Sequence, residues 1–142
     1  MIYIILGIVV VIVIAFISIY NTLVKNKNMV EEGFSTMDVY LKKRYDLIPN
    51  LVETVKGYAS HEKETLEKVI SARNSAVSAN TPEAKIEAEG QLGQVLGRLF
   101  ALSENYPDLK ANTNFMDLQR QLQTLETEIA QSRKYYNAVT RE

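Results

Sequence analysis

The sequence predicts an all-α protein: one N-terminal transmembrane helix followed by an antiparallel bundle of long helices, the first of them kinked or broken at Pro49. Three observations predict it. Ile2 to Ile19 is an unbroken uncharged run dominated by isoleucine and valine. Beyond it, apolar residues return in alternating steps of three and four, the spacing of helices that each bury one stripe. Glycine and proline are sparse, 6 and 3 in 142 residues, so little in the chain would interrupt long helices.

The apolar run IYIILGIVVVIVIAFISI comes first. At about 1.5 Å per residue it reaches a hydrocarbon core of roughly 30 Å once Tyr20 to Val24 extend it. No basic residue precedes it and no small-x-small cleavage pattern follows, so it is expected to stay as an anchor rather than leave as a signal peptide. Lys25 and Lys27 follow at once, and Lys42, Lys43 and Arg44 come a little later. The positive-inside rule then puts the helical domain in the cytoplasm, with the N-terminus outside the plasma membrane. The expected division is an anchor over 1–22 and a helical domain over 23–142, with helices at about 23–48, 49–79, 82–105 and 114–142.

In the first long helix Val30, Phe34, Met37, Leu41, Tyr45, Ile48, Val52, Val55 and Ala59 keep a single apolar phase. Pro49 falls inside it, lacking an N–H and crowding the carbonyl four residues back, which is Tyr45. Because the phase continues beyond Pro49, a kink is favoured over a break, with a restart of the helix at Pro49 as the alternative. The next segment resumes the pattern at Leu66, Val69, Ile70 and Val77. Thr81, Pro82 and Glu83 make a helix start by capping, by a fixed φ and by dipole charge. That helix carries Gly93 and Gly97 in small-xxx-small spacing, which predicts close approach of a neighbouring helix. Asn105-Tyr106-Pro107 ends it. In the last helix Phe115, Leu118, Leu122, Leu125, Ile129, Ser132, Tyr136 and Val139 form a narrow seam, fit for a coiled-coil contact within the molecule or between molecules. Asn114 and Asp117 read as its capping pair.

Five blocks, DVYLKKRYDLIPNLVETVKGYASHE from Asp38 to Glu62, YNTLV from Tyr20, LEKVISARN from Leu66, LFALSENYPDLKANTNF from Leu99 and IAQSRKYYNAV from Ile129, together resemble the LemA family. The resemblance implies a membrane-anchored helical protein and supplies no reaction. Proteins of that family usually continue beyond the point where this chain stops, so a tail past Glu142 is expected to be missing or this member is short.

Composition narrows the function. Sixteen basic against seventeen acidic residues argue against a general nucleic-acid binder. With no cysteine and one histidine, thiolate metal sites and thiol catalysis are excluded. His61-Glu62 lacks the second histidine of a metalloprotease motif, since position 65 is threonine. Asp46, Glu53 and Glu62 are the available carboxylates, but nothing pairs them with a nucleophile. No catalytic residue, metal ligand, cofactor or small-molecule substrate is therefore expected. Lys42, Lys43 and Arg44 are read as a solvated surface or a contact for anionic lipid or a partner. The expected role is a self-associating scaffold or interaction module, partnered by the bilayer and by copies of itself or another membrane protein. The alternative is a signalling module that passes movement through Pro49 to a cytoplasmic partner.

Overall fold

The computed structural model describes residues 1–141, and all regular structure among them is helical. The elements are α1 (Ile2–Tyr58), α2 (Lys63–Ser78), α3 (Pro82–Ser103), α4 (Pro107–Lys110) and α5 (Thr113–Thr140).

Helix α1 runs for 57 residues, through both the apolar run and Pro49. No part of its apolar window is buried by the rest of the chain. A core helix of a soluble protein would be covered, whereas a lipid-facing helix satisfies its own backbone and needs no protein neighbour. Further along, α1 enters the helical domain and buries two lines. Met37, Leu41, Ile48, Leu51 and Val55 are at most 1% exposed, and Tyr45 and Val52 lie beside them.

One flank of α1 meets α5, which runs the opposite way. Phe34 packs its ring 5.8 Å from that of Tyr136. At the other end Asn114 donates to Thr54 Oγ1 at 3.0 Å, and Asn112 donates to the Tyr58 hydroxyl at 2.9 Å. Gly33 suits the lower contact, because a Cβ there would stand 3.1 Å from the Tyr135 ring and that ring would have to give by a few tenths of an ångström. The seam of α5 is filled by this pairing: Phe115, Leu118, Leu122, Leu125, Ile129 and Tyr136 are buried. The contact that the sequence left open is thus made within the molecule. The other flank of α1 meets the hairpin of α2 and α3, where Leu66, Val69 and Ala76 face Leu92, Leu96 and Leu99 in one core. Ile70 and Val77, expected on the α2 seam, are exposed, and Ala76 takes the inner position.

Three boundaries differ from the expected ones. Helix α1 does not end near residue 48; it continues to Tyr58, and the break falls at Ala59 to Glu62, where Glu62 N–H closes a turn on the Ala59 carbonyl at 3.0 Å. Exposed Gly57, a poor helix former, precedes that turn. The connector before the last helix contains the single turn α4, opened by Pro107 and pinned by fully buried Leu109. Helix α5 is capped by Asn112, which accepts from Phe115 N–H at 2.9 Å, and not by Asn114, whose side chain is engaged with α1. The expected start of α3 holds, since Thr81 accepts from Ala84 N–H at 3.1 Å with Pro82 in the first turn. The last expected position of α5, 142, lies outside the described residues.

Candidate functional site

Polar groups gather inside the helical core between Asp38 and Pro49. Pro49 cannot donate to the Tyr45 carbonyl, and a buried carbonyl without a donor costs about 1–3 kcal/mol. Arg73 of α2 supplies the missing donor: its Nε bonds to the Tyr45 carbonyl oxygen at 3.0 Å. An arginine from a neighbouring helix thus does what the backbone N–H at position 49 would do. The helix stays continuous, and α2 is tied to α1 at the one residue where α1 is weakest.

One residue earlier, Arg44 is only 4% exposed. It pairs with Glu89 of α3, itself 5% exposed, through Nη2, which also donates to the Glu89 carbonyl at 3.0 Å. Arg44 Nε and Glu89 Oε1 are buried without a hydrogen-bond partner. The adjacent Tyr45 hydroxyl is likewise buried and makes no hydrogen bond. Burial, reinforced by the Glu89 carboxylate, pushes its pKa far above the ordinary tyrosine value. About two turns earlier on α1, Asp38 pairs with Lys85 at 2.8 Å and with Lys42 at 3.2 Å. Burial alone would raise the Asp38 pKa, but the two ammonium groups outweigh it and hold the carboxyl below its usual range.

Above this pair a cleft of about 350 Å³ opens between α3 and α5. Gly90 and Gly93 form one bank and Glu126, Ala130 and Arg133 the other, with Arg44 and Glu89 at the bottom.

The basic cluster Lys42, Lys43 and Arg44 is therefore not one surface. Arg44 points into the core, Lys42 is held by Asp38, and Lys43 lies 5.6 Å from the centre of the Tyr40 ring. Lys42 also stands about 27 Å along α1 from Val24, at about 1.5 Å per residue, too far for a headgroup contact if the helix rises along the membrane normal. Gly93 and Gly97 do not seat a neighbouring helix of this chain. A Cβ on Gly97 would meet nothing within 4 Å, and one on Gly93 would meet only Arg44 Nη1 at 4.0 Å. Asp46 and Glu53 are exposed, and Glu62 accepts from the Tyr106 hydroxyl at 2.8 Å as a tie between α2's start and the α3–α4 connector. His61 is exposed in the turn after α1. Among the described residues no three carboxylates or imidazoles stand together as a metal site.

The sequence reading missed Glu89 as a core residue and partly buried Arg73 as the tie from α2 to Tyr45, although Glu89 falls in phase with Leu92, Leu96 and Leu99. Arg44 gave the same signal between Leu41 and Ile48.

A long uncovered apolar helix continued into a helical domain with internal charge pairs supports a membrane-associated helical protein. The chain belongs to the LemA family, whose pattern matches residues 33–142. It is 25% identical over 120 residues to Protein LemA of Metamycoplasma hominis, a match covering 84% of this chain and 55% of that protein. It is 26% identical over 156 residues to Magnetosome protein MamQ 2 of Paramagnetospirillum magneticum, covering 89% of this chain and 57% of that one. Magnetosome protein MamQ of Magnetospirillum gryphiswaldense is 24% identical over 145 residues, covering 84% and 53%. The chain spans a little over half the length of these relatives.

Proposed function

We propose that this protein is a non-catalytic, membrane-anchored scaffold whose helical domain holds copies of itself, or another membrane protein, at the bilayer surface. The observation that carries the reading is the continuity of α1. One helix is uncovered and apolar at its start and supplies the central wall of the packed domain at its end. A domain joined to its anchor by unbroken helix is held at a fixed distance from the membrane, with its side faces free to meet others anchored alongside. Confinement to a bilayer raises the effective concentration of such faces, so contacts too weak for solution become populated. Exposed Gly90 and Gly97, with open space around them, leave one face of α3 available. On this reading the N-terminus is outside and the helical domain cytoplasmic, because Lys25 and Lys27 follow the span directly.

Crosslinking of the full-length protein in membranes, followed by solubilisation and mass analysis, tests the reading. Crosslinked multimers or a recurrent membrane partner are expected, and a chain recovered alone would refute it.

A second reading has its own observation. The Arg73 bond to the Tyr45 carbonyl joins α2 to α1 at Pro49, so bending of α1 there would be felt by the α2–α3 hairpin. A signalling role through a kink at Pro49 requires two populated states with that bond made and broken. Spin-label distances across Pro49 that stay fixed in every membrane condition would refute it.

A further inference from the structure

The cleft between α3 and α5 has a bottom that the protein does not satisfy by itself. Guanidinium groups offer five N–H donors. In Arg44 both protein bonds run from Nη2, to the Glu89 carboxylate and to the Glu89 carbonyl; Nε is buried without a partner, and Nη1 makes no hydrogen bond among the described residues. Nη1 lies beneath Gly93, 4.0 Å from where a Cβ would stand, and the absence of that side chain keeps the way to it open. Buried polar networks that are half satisfied are costly, and groups left without partners inside proteins are commonly completed by water or by a ligand.

The charges around the cleft select among ligands. Arg44 and Glu89 sit at its bottom, and Glu126 and Arg133 stand on the α5 bank with no ion-pair partner of their own among the described residues. A simple anion reaching Arg44 would meet Glu89 and Glu126 as well, and a simple cation would meet Arg44 and Arg133. A molecule carrying both charges a few ångströms apart is opposed by neither. The cleft's volume of about 350 Å³ is within the range of small-molecule sites.

We propose that this cleft binds a small zwitterion, of the class of free α-amino acids, with its carboxylate on Arg44 Nη1 and its ammonium on Glu126. Glycines at 90 and 93 let the ligand lie against the α3 backbone, and Arg133 supports the carboxylate from the rim. The inference does not rest on the scaffold reading, although Gly90 lies on the α3 face that the scaffold reading leaves for a partner.

The test uses the full-length chain in detergent micelles, labelled with nitrogen-15, and follows the glycine amide resonances while glycine, L-alanine, acetate or methylammonium is added. Gly90 and Gly93 line the cleft, and exposed Gly57 on α1 serves as the control. The expected result is saturable movement of the Gly90 and Gly93 signals with the two amino acids and none at Gly57. Glu126→Gln removes one charge-assisted partner from an exposed position and is expected to weaken amino-acid binding about tenfold. Gly93→Leu, whose Cβ would stand in ordinary contact with Arg44 Nη1 at 4.0 Å and whose side chain would fill the cleft, is expected to abolish binding with the helical circular dichroism retained. No saturable shift with either amino acid overturns the proposal. So does acetate moving the same signals as strongly as glycine, which would make the site a plain anion site, and so does binding untouched by Glu126→Gln.

Discussion

Replacing Arg73 with alanine removes the donor that reaches the Tyr45 carbonyl in place of Pro49. With Arg73 in place Tyr45 is 5% exposed, and the bond itself is partly buried. The loss is that of a buried acceptor left unpaired, about 1–3 kcal/mol. The same reasoning says that the cost depends on the proline. In a Pro49→Ala background, the new alanine carries an N–H that bonds back to Tyr45 within α1, and Pro49→Ala itself adds up to about 3 kcal/mol of helix stability. Arg73→Ala should then cost about 0.5 kcal/mol or less, so the two sites couple by about 0.5–3 kcal/mol. The assay is urea unfolding of wild type, both single variants and the double variant, followed by circular dichroism at the helix band in mild detergent. Arg73→Lys separates charge from geometry, since an ammonium cannot present the guanidinium's rigid planar donor array. An Arg73→Ala penalty equal in both backgrounds would refute the account of how α1 survives Pro49.

Other outcomes follow from the same packing. Glu89→Ala strands the Arg44 guanidinium in the core and should cost about 3–5 kcal/mol, whereas Arg44→Met with Glu89→Leu should cost far less or stabilise, both read by the same unfolding assay. Leu122→Asp places an unpaired carboxylate on the α1–α5 seam, where Leu122 is 2% exposed, and should lower stability by several kcal/mol; an unchanged unfolding midpoint would show that the seam is not a core. Asp38 has a folded pKa below its unfolded value near 3.8, so its contribution is present above that value and is lost as pH falls through the folded pKa. Asp38→Asn should therefore flatten the acid limb of a stability–pH curve below about pH 4. Tyr45 works the other way. Its folded pKa is raised above 10.0, so its contribution is intact below that value and declines as pH rises beyond it. Tyr45→Phe should flatten the alkaline limb.

The long-range pattern was legible because hydrophobic periodicity records which face of a helix is covered. The α5 seam from Phe115 to Tyr136 and the α1 line from Met37 to Ala59 are both buried as the spacing requires. The Thr81 cap was equally readable, because capping is local chemistry. What escaped was whatever depends on a partner distant in sequence. Arg44 looks like the third member of a basic run until it is set in the sequence Met37, Leu41, Arg44, Ile48, Leu51, where it holds an inner position and awaits Glu89 forty-five residues later. Pro49 announces a kink or a break; α1 runs through it without a break, and the donor that reaches the Tyr45 carbonyl there comes from Arg73, distant in sequence. Gly93 and Gly97 suggested a packed helix, yet their spacing says only that room is left, not what fills it.

The scaffold reading stands or falls on association in the membrane. The most direct measurement is the mass of the intact full-length protein in lipid nanodiscs or native membrane fragments, determined without crosslinking. The account predicts a homo-oligomer or a stable complex with another membrane protein, while a variant lacking residues 1 to 20 is a monomer in solution. A full-length monomer with nothing bound in that environment would contradict it.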